Sequence, residues 1–211
     1  MLEFLELKSS KDKYFAEAIE VYREAFESTP EIYLDPKYFS QGSSSYMQDM
    51  QWHFCALVDR DVIGMAAFAS TKFGGYSGYV AVRERLRHRG YGTILLKNIV
   101  DNVRKDLDKN NWKSPFLFAE YENKNQKLWE SKGFVTLPVK YYQPPLVDDG
   151  NWVSMNLGVL PLSGAESIRG EEIVDFVSFM YSRIYWMKGY SKYKQYKELK
   201  KSCYNLVFKI R

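Results

Sequence analysis

Cysteine and histidine are scarce in this chain, which has two of each among its 211 residues. Cys55 and Cys203 lie far apart and form no CxxC pair, so the sequence offers no disulfide scaffold and is typical of a reducing cytosol. His53 and His88 are too few and too widely separated for a zinc site. We therefore expect a cytoplasmic protein whose functional site contains no metal.

Long apolar runs are also missing. No stretch of about eighteen consecutive apolar residues occurs, so the sequence predicts no transmembrane helix and no membrane partner. The first residues, MLEFLELKSSKDK, lack the basic, apolar and small-residue regions of a signal peptide and are typical of a strand instead. Internal repeats and low-complexity tracts are absent as well.

The composition that is present favours one large domain, with or without an appendage. Hydrophobic residues make up 45% of the chain and aromatic residues 17%, which allows a substantial core. Apolar periodicity predicts an α/β fold with a mixed sheet, antiparallel in its front half, and a helical C-terminal addition. The first expected elements are a strand at 2–7, a helix burying Phe15, Ile19, Tyr22 and Phe26, loops around a short helix in 28–50, a hairpin around Asp59–Asp61 and a strand at 75–82. Next come a helix through Leu96, Val100, Val103 and Leu107, a strand at 114–121, a short helix ending at Gly133, and a strand pair at 134–142 and 151–160. The chain then forms a helix through Ile173, Val177, Met180, Ile184 and Met187, and a last helix through Tyr196, Leu199, Cys203 and Leu206.

The segment VRERLRHRGYGTILL, residues 82–96, places arginines, a histidine and two glycines directly before an amphipathic helix. The first turn of a helix offers unpaired N–H groups and the positive end of the macrodipole. Gly90 and Gly92 let the backbone approach a ligand closely, and Arg87 and Arg89 add positive charge. The segment therefore predicts a cradle for a phosphate or pyrophosphate. The alternative is a tight strand-to-helix turn with solvated arginines.

Two motifs at the expected separation make the chain resemble the GCN5-related N-acetyltransferase (GNAT) superfamily. VAVRERLRHRGYGTILL is similar to the family signature of a strand, an Arg-x-x-Gly-x-Gly loop and a helix, and FLFAEYENKNQKLWESKGF is similar to the second signature. The order of elements agrees from residue 1 to about 160. The resemblance implies an acyl-CoA-dependent N-acetyltransferase domain at 1–160, which leaves 161–211 as a basic helical extension.

The resemblance also implies a binding site for acetyl-CoA or another acyl-CoA as co-substrate. In this family the loop binds the pyrophosphate through backbone amides, and pantetheine adds to the edge of the preceding strand like a further strand. The cofactor-binding residues implied in this chain are Val80, Ala81, Val82, Arg87, His88, Arg89, Gly90, Tyr91, Gly92, Thr93, Asn125 and Trp129.

The family's chemistry is direct attack of an amine on the thioester, in a ternary complex. It needs a base, an oxyanion donor and an acid for the leaving thiolate. We predict the backbone N–H near Val82 as the oxyanion donor and Glu120, at the end of a buried strand, as the base, although a solvated acid at a strand end is an equal alternative. Trp129 stands where the family has a tyrosine acid, and indole is no useful acid.

Either another tyrosine (Tyr121, Tyr141 or Tyr142) or water supplies that proton, or the protein binds acyl-CoA without turning it over. The expected acceptor is a primary amine on a small molecule or a peptide. Residues 181–211 contain nine Lys or Arg and one acid, a balance of +8 against −4 for the other 180 residues. We interpret this tail as a solvated helix face rather than a nucleic-acid site, and its apolar stripes are compatible with a homodimer.

Overall fold

The computed structural model describes residues 1–41, 49–146 and 151–210. The chain divides into two compact units, Met1–Trp112 and Lys113–Arg211, and each contains strands and helices of its own. The predicted mixed α/β class is confirmed. Our assignment of 1–160 and 161–211 as functional domains stays a prediction. None of the helices within the described residues combines the length and the apolar character that a membrane span requires.

The sheet of the first unit is built from four strands in sequence order. They are β1 (Glu3–Glu6), β2 (Met50–Asp59), β3 (Asp61–Thr71) and β4 (Gly74–Val82), and each pairs antiparallel with the next. The predicted hairpin turns at Arg60, whose φ is +69°. Both hairpin strands are longer than their apolar runs suggest, because polar residues such as Gln51 and Ser70 extend the ladder.

Two helices cover opposite faces of this sheet. Helix α1 (Phe15–Phe26) packs on the face that contains Phe54, and it buries Phe15, Ile19 and Tyr22 as the spacing predicts. Helix α2 (Tyr91–Lys109) lies on the other face, where Asp106 hydrogen-bonds His53. Short 3₁₀ turns lie at Pro36–Gln41 and Glu84–Leu86. The first is the short helix expected in 28–50; residues 42–48 of that segment lie outside the described residues.

A buried polar cluster lies under α2. His53, only 5% exposed, contacts Glu6 through Nδ1 (2.9 Å) and Asp106 through Nε2 (2.8 Å), and Ser70 donates to the same Asp106 oxygen at 2.6 Å. Burial by itself lowers the pKa of His53, but the hydrogen bonds and charges of Asp106 and Glu6 outweigh it, so the pKa is raised. The cluster therefore favours a protonated His53 in the folded chain.

In the second unit, three strands pair antiparallel with one central strand, β8 (Val153–Pro161). They are β5 (Phe116–Tyr121), β6 (Val135–Thr136) and β7 (Tyr141–Gln143). The single strand predicted at 134–142 is thus two short strands. Pro138 lies between them, and because it has no N–H it cannot continue a ladder. A 3₁₀ turn (Asn123–Asn125) and helix α3 (Gln126–Glu130) precede Gly133, whose φ is +90°.

The chain after residue 161 contributes both helices and a small sheet. Strand β9 (Ser167–Arg169) leads into α4 (Gly170–Phe179), which continues as a π-helical turn at Met180–Ile184. After a 3₁₀ turn (Tyr190–Lys192), α5 (Lys194–Cys203) is followed by β10 (Val207–Lys209), which pairs antiparallel with β9.

Two helix-end predictions in this region are wrong. The regular helix ends before Met187 because the π-helical turn replaces its last part. Leu206 lies beyond α5, 47% exposed, because the chain turns there into β10.

Candidate functional site

A strand, a tight turn and a helix follow one another at residues 82–93. After β4 ends at Val82 and the 3₁₀ turn closes, His88 and Gly90 take left-handed conformations with φ of +64° and +86°. Gly90 is the residue that caps α2, and only glycine adopts this φ without strain. The two reversals bring the chain directly into the first turn of α2.

The space in front of this first turn is open. A Cβ atom built on Gly90 or Gly92 would meet no neighbouring atom within 4 Å, so the backbone there borders open space. The N–H groups of the first helical turn have no intrahelical acceptor, and the dipole of a 19-residue helix adds positive potential. Such an arrangement is suited to an anion.

Side chains around the turn add charge without filling it. Arg87, His88, Arg89 and Thr93 are exposed, whereas Tyr91 is half-buried. Arg87 donates through Nε to the carbonyl of Val82 at 3.2 Å, which ties the turn to the end of β4.

Arg83, earlier in the same motif, has a structural role instead. Its Nε donates to the carbonyl of Val62 at 2.8 Å, and its guanidinium contacts Glu24 at 2.7 Å and Glu20 at 3.4 Å. Arg83 therefore fastens α1 to the end of β4, and the charge available to a ligand comes from the residues after it.

Strand β4 contains a bulge shortly before the turn. Ala67 is paired with Tyr79 and Phe68 with Ser77, so Gly78 is an additional residue on β4. Beyond the bulge, Val80 and Val82 are half-exposed and Ala81 is buried. A bulge bends its strand and re-aims the residues that follow, as is common next to binding sites.

Glu120, in the second unit, has a carboxylate that two tyrosine hydroxyls hold in place. It lies half-buried near the end of β5, and its two oxygens accept from different tyrosines. Tyr141 on β7 donates to Oε1, and Tyr185 donates to Oε2 at 2.6 Å. These contacts argue against the alternative of a freely solvated acid at a strand end. The carboxylate is oriented, and ionised oxygens are the natural acceptors for two O–H donors.

Tyr121, one of the predicted catalytic residues, does not share the surroundings of Glu120. Successive residues on a strand point to opposite faces. Tyr121 is 2% exposed, stacks on Trp129 at 5.6 Å between centroids, and its hydroxyl bonds that of Thr136 at 2.8 Å. Burial raises the pKa of Tyr121, so it is a poor proton donor at neutral pH. The structure gives it a packing position.

Tyr142 is likewise separated from Glu120, for the same reason of strand alternation. Its hydroxyl donates to Glu198 on α5 at 3.2 Å, and this hydrogen bond raises the pKa of Tyr142. The neighbour that reaches Glu120 is Tyr141, which the sequence offered only as one of three possibilities. The hydroxyls of Tyr121 and Tyr142 therefore bond other residues, whereas the Glu120 carboxylate is bonded by Tyr141 and Tyr185.

Asn125 and Trp129 lie around helix α3. Asn125 is half-buried at its N-terminus, where its backbone N–H donates to the carbonyl of Glu122 at 2.9 Å. The Trp129 indole packs between Tyr121 and Phe134, whose ring it meets edge-on at 4.9 Å. Trp129 therefore completes an aromatic stack rather than presenting an acid.

Sequence reasoning missed Tyr185 entirely. The periodic pattern places Ile184 on the inner side of a regular helix, but the π-helical turn adds a residue to that turn. The backbone N–H of Tyr185 bonds the carbonyl of Met180, five residues earlier, at 3.0 Å. No local signal predicts this change of phase, and Glu120 lies 65 residues away in sequence.

Comparison with known proteins identifies the fold to which these features belong. The profile of the acetyltransferase (GNAT) domain matches residues 49–136. A solved structure assigned to the GNAT acetyltransferase family, from Bacteroides thetaiotaomicron, is 19% identical with a TM-score of 0.68, covering 88% of this chain and 99% of its own. Curated protein sequences gave no match.

Two further solved structures are similar. The ribosomal-protein-S18-alanine N-acetyltransferase of Escherichia coli is 19% identical with a TM-score of 0.56, over 78% of this chain and 96% of its own. An acetyltransferase-like protein of Salmonella typhimurium, solved with its cofactor acetyl-CoA, is 18% identical with a TM-score of 0.54. The match covers 78% of this chain and 95% of the Salmonella chain. At these identities the structures show the shared fold.

Proposed function

We propose that this chain, whose residues 49–136 carry a GNAT acetyltransferase domain, transfers the acetyl group of acetyl-CoA to a primary amine. One observation carries the proposal: the matched residues contain both an open anion site at the start of α2 and an oriented carboxylate, Glu120. The first is suited to a pyrophosphate and the second to a base.

Acetyl-CoA is the co-substrate in this proposal. Its pyrophosphate binds the backbone amides of 87–93, with Arg87 and Arg89 beside it, and its pantetheine arm follows the backbone of Val80–Val82. Asn125 and Trp129 belong to the pantetheine contacts. The bulge at Gly78 supports this assignment, because it re-aims the strand just before those residues. The Salmonella structure, solved with acetyl-CoA, supports the choice of ligand.

The reaction removes two protons from the acceptor nitrogen. Glu120 accepts a proton from the ammonium of the acceptor, and the neutral nitrogen attacks the thioester carbonyl carbon. The backbone N–H near Val82 donates to the developing oxyanion. The C–N bond forms, the C–S bond breaks, and the second nitrogen proton passes to the thiolate of coenzyme A, directly or through water. Trp129 takes no part in this transfer, since indole is no acid at neutral pH.

The acceptor is a primary amine, and two classes are compatible with the site. The Escherichia coli neighbour is named for the terminal alanine of a protein, which supports a peptide α-amine. An oriented carboxylate next to tyrosine rings equally suits a small cationic amine. The acceptor panel in the test therefore includes both.

Product analysis tests the proposal. Wild type is incubated with acetyl-CoA and a panel of small amines and N-terminal peptides, and mass spectrometry detects the acetylated product. Glu120→Gln keeps the shape of the side chain but cannot accept the proton, so we expect at least a roughly hundred-fold lower kcat with acetyl-CoA binding retained. Acetyl-CoA binding without an acetylated product would instead indicate a non-catalytic acyl-CoA-binding protein.

A further inference from the structure

The residues that orient Glu120 come from beyond the segment that matches the GNAT acetyltransferase domain, residues 49–136. Tyr141 and Tyr185 lie beyond residue 136, and Tyr185 belongs to the C-terminal extension. Both hydroxyls donate to the carboxylate, one to each oxygen. The extension thus supplies a polar contact to the proposed base, in addition to its own packing.

We propose that Tyr185 is a positioning residue for Glu120, holding its carboxylate ionised and in one orientation for proton transfer. The inference rests on the proposed function, which assigns Glu120 as the base. A hydrogen bond to a charged carboxylate stabilises the charged form and restricts the side chain to one geometry. The ionised form is the one that can accept a proton, and a fixed geometry lets it do so from an ammonium held at one place.

Tyrosines on β7 and on the segment after α4 lie close to the Glu120 carboxylate. Besides the two donors there is Tyr181, which is fully buried and whose hydroxyl donates instead to the carbonyl of Tyr142. Burial first, and the charge of Glu120 second, raise the pKa of Tyr181, so it stays neutral beside the carboxylate. Both oxygens of Glu120 therefore accept hydrogen bonds from neutral tyrosine hydroxyls.

Of the two donors, Tyr185 is the one that can be substituted without disturbing the core. Tyr141 is 1% exposed and belongs to the core, so its replacement would alter packing as well as hydrogen bonding. Tyr185 is half-buried at the end of a π-helical turn, and such turns often occur at functional sites. Its ring meets that of Tyr181 edge-on at 6.4 Å, a contact that phenylalanine preserves. Tyr185→Phe therefore removes the hydroxyl alone.

Carbon NMR of the Glu side chains tests the inference without requiring activity. The carboxyl signal of Glu120 is identified by its loss in Glu120→Gln and is followed against pH. In Tyr185→Phe we expect its midpoint to rise by about one pH unit, the effect of losing one hydrogen bond to a charged group. The matched control is Tyr142→Phe, on the same unit, whose hydroxyl bonds Glu198 and should leave the midpoint unchanged.

Kinetics give the second readout. The acidic limb of the pH profile of kcat/KM should move by the same amount in Tyr185→Phe, with the KM for acetyl-CoA unchanged, which a merely structural role would not produce. A ring-fluorinated tyrosine at position 185, a stronger donor of the same shape, should move the Glu120 midpoint in the opposite direction. This second variant decides the matter if Tyr185→Phe does not fold.

The outcomes separate the inference from the proposed function. A Glu120 midpoint that is equal in wild type, Tyr185→Phe and the fluorinated protein overturns the positioning role, even if amines are acetylated. An equal shift in Tyr142→Phe overturns it as well, because that hydroxyl does not contact Glu120. If no amine is acetylated while the midpoint shifts as expected, the proposed function fails and the tyrosine–carboxylate contact stands.

Discussion

Gly92 offers a sharp test of the anion site, because one substitution should make the chain more stable and its ligand bind more weakly. Gly92 lies in the first turn of α2, and a Cβ there meets no atom within 4 Å, so a side chain enters open space. Alanine gains about 0.5–1 kcal/mol over glycine inside a helix, but aspartate and asparagine gain only about 0.3 kcal/mol. An aspartate at a helix N-terminus gains a further 0.3–1 kcal/mol or so from the macrodipole.

The same carboxylate opposes the proposed pyrophosphate. Two like charges about 6 Å apart repel by roughly 3 kcal/mol at an effective dielectric constant near 20, and salt screening at this exposed position reduces that to about 1.5–2.5 kcal/mol. Gly92→Asp should therefore raise the Kd of acetyl-CoA by roughly 10- to 100-fold. Gly92→Asn has nearly the same size without the charge, so the difference between the two variants measures the electrostatic part.

The assay is displacement of a fluorescent coenzyme A analogue, with thermal unfolding run in parallel on the three proteins. We expect the order of stability to be Asp above Asn above wild type, and Asp to bind most weakly. If both variants bind acetyl-CoA as tightly as wild type, the start of α2 does not face the phosphates and the assignment of residues 87–93 is refuted.

Three further predictions concern other parts of the chain. Asp106 and Glu6 raise the pKa of His53 in the folded chain. The resulting stabilisation is fully present below about pH 6.5, the usual unfolded pKa of histidine, and is lost as the pH rises through the folded pKa. Urea unfolding should show this decline in wild type and not in His53→Phe. Gly170→Ala should lower the free energy of unfolding by about 2 kcal/mol or more, because a Cβ would overlap the carbonyl oxygen of Cys203, whereas Gly92→Ala should be neutral or stabilising. Tyr121→Phe should leave kcat/KM within about two-fold of wild type, since its hydroxyl bonds Thr136 on the face away from Glu120; a loss like that of Glu120→Gln would contradict this placement.

Features governed by local sequence were predictable. The start of α2 could be placed because glycine freedom and apolar periodicity act within a few residues, and the structure has Gly90 at the cap and an open first turn. The two hairpin strands follow from the apolar runs on each side of Arg60. The break at Pro138 could have been predicted, because a proline cannot donate a hydrogen bond to a ladder. The apolar residues around it led instead to the prediction of one continuous strand.

Contacts between distant residues were not predictable from one sequence. The choice between Tyr141 and Tyr142 depends on the register of β7 on β8, which alternation alone does not set. Tyr185 reaches Glu120 only because a π-helical turn changes the helical phase. The same holds for the buried contact of His53 with Asp106, which spans 53 residues and joins a strand to a helix.

Binding of an acyl-CoA at the start of α2 is the first requirement of the proposed reaction, and one titration measures it. Calorimetric titration of acetyl-CoA into the wild-type chain should show binding at one site, weakening as salt is raised because charged phosphates meet an exposed positive site. No detectable binding at millimolar acetyl-CoA and low salt would contradict the proposal, and would leave the match to the GNAT domain as a similarity of fold alone.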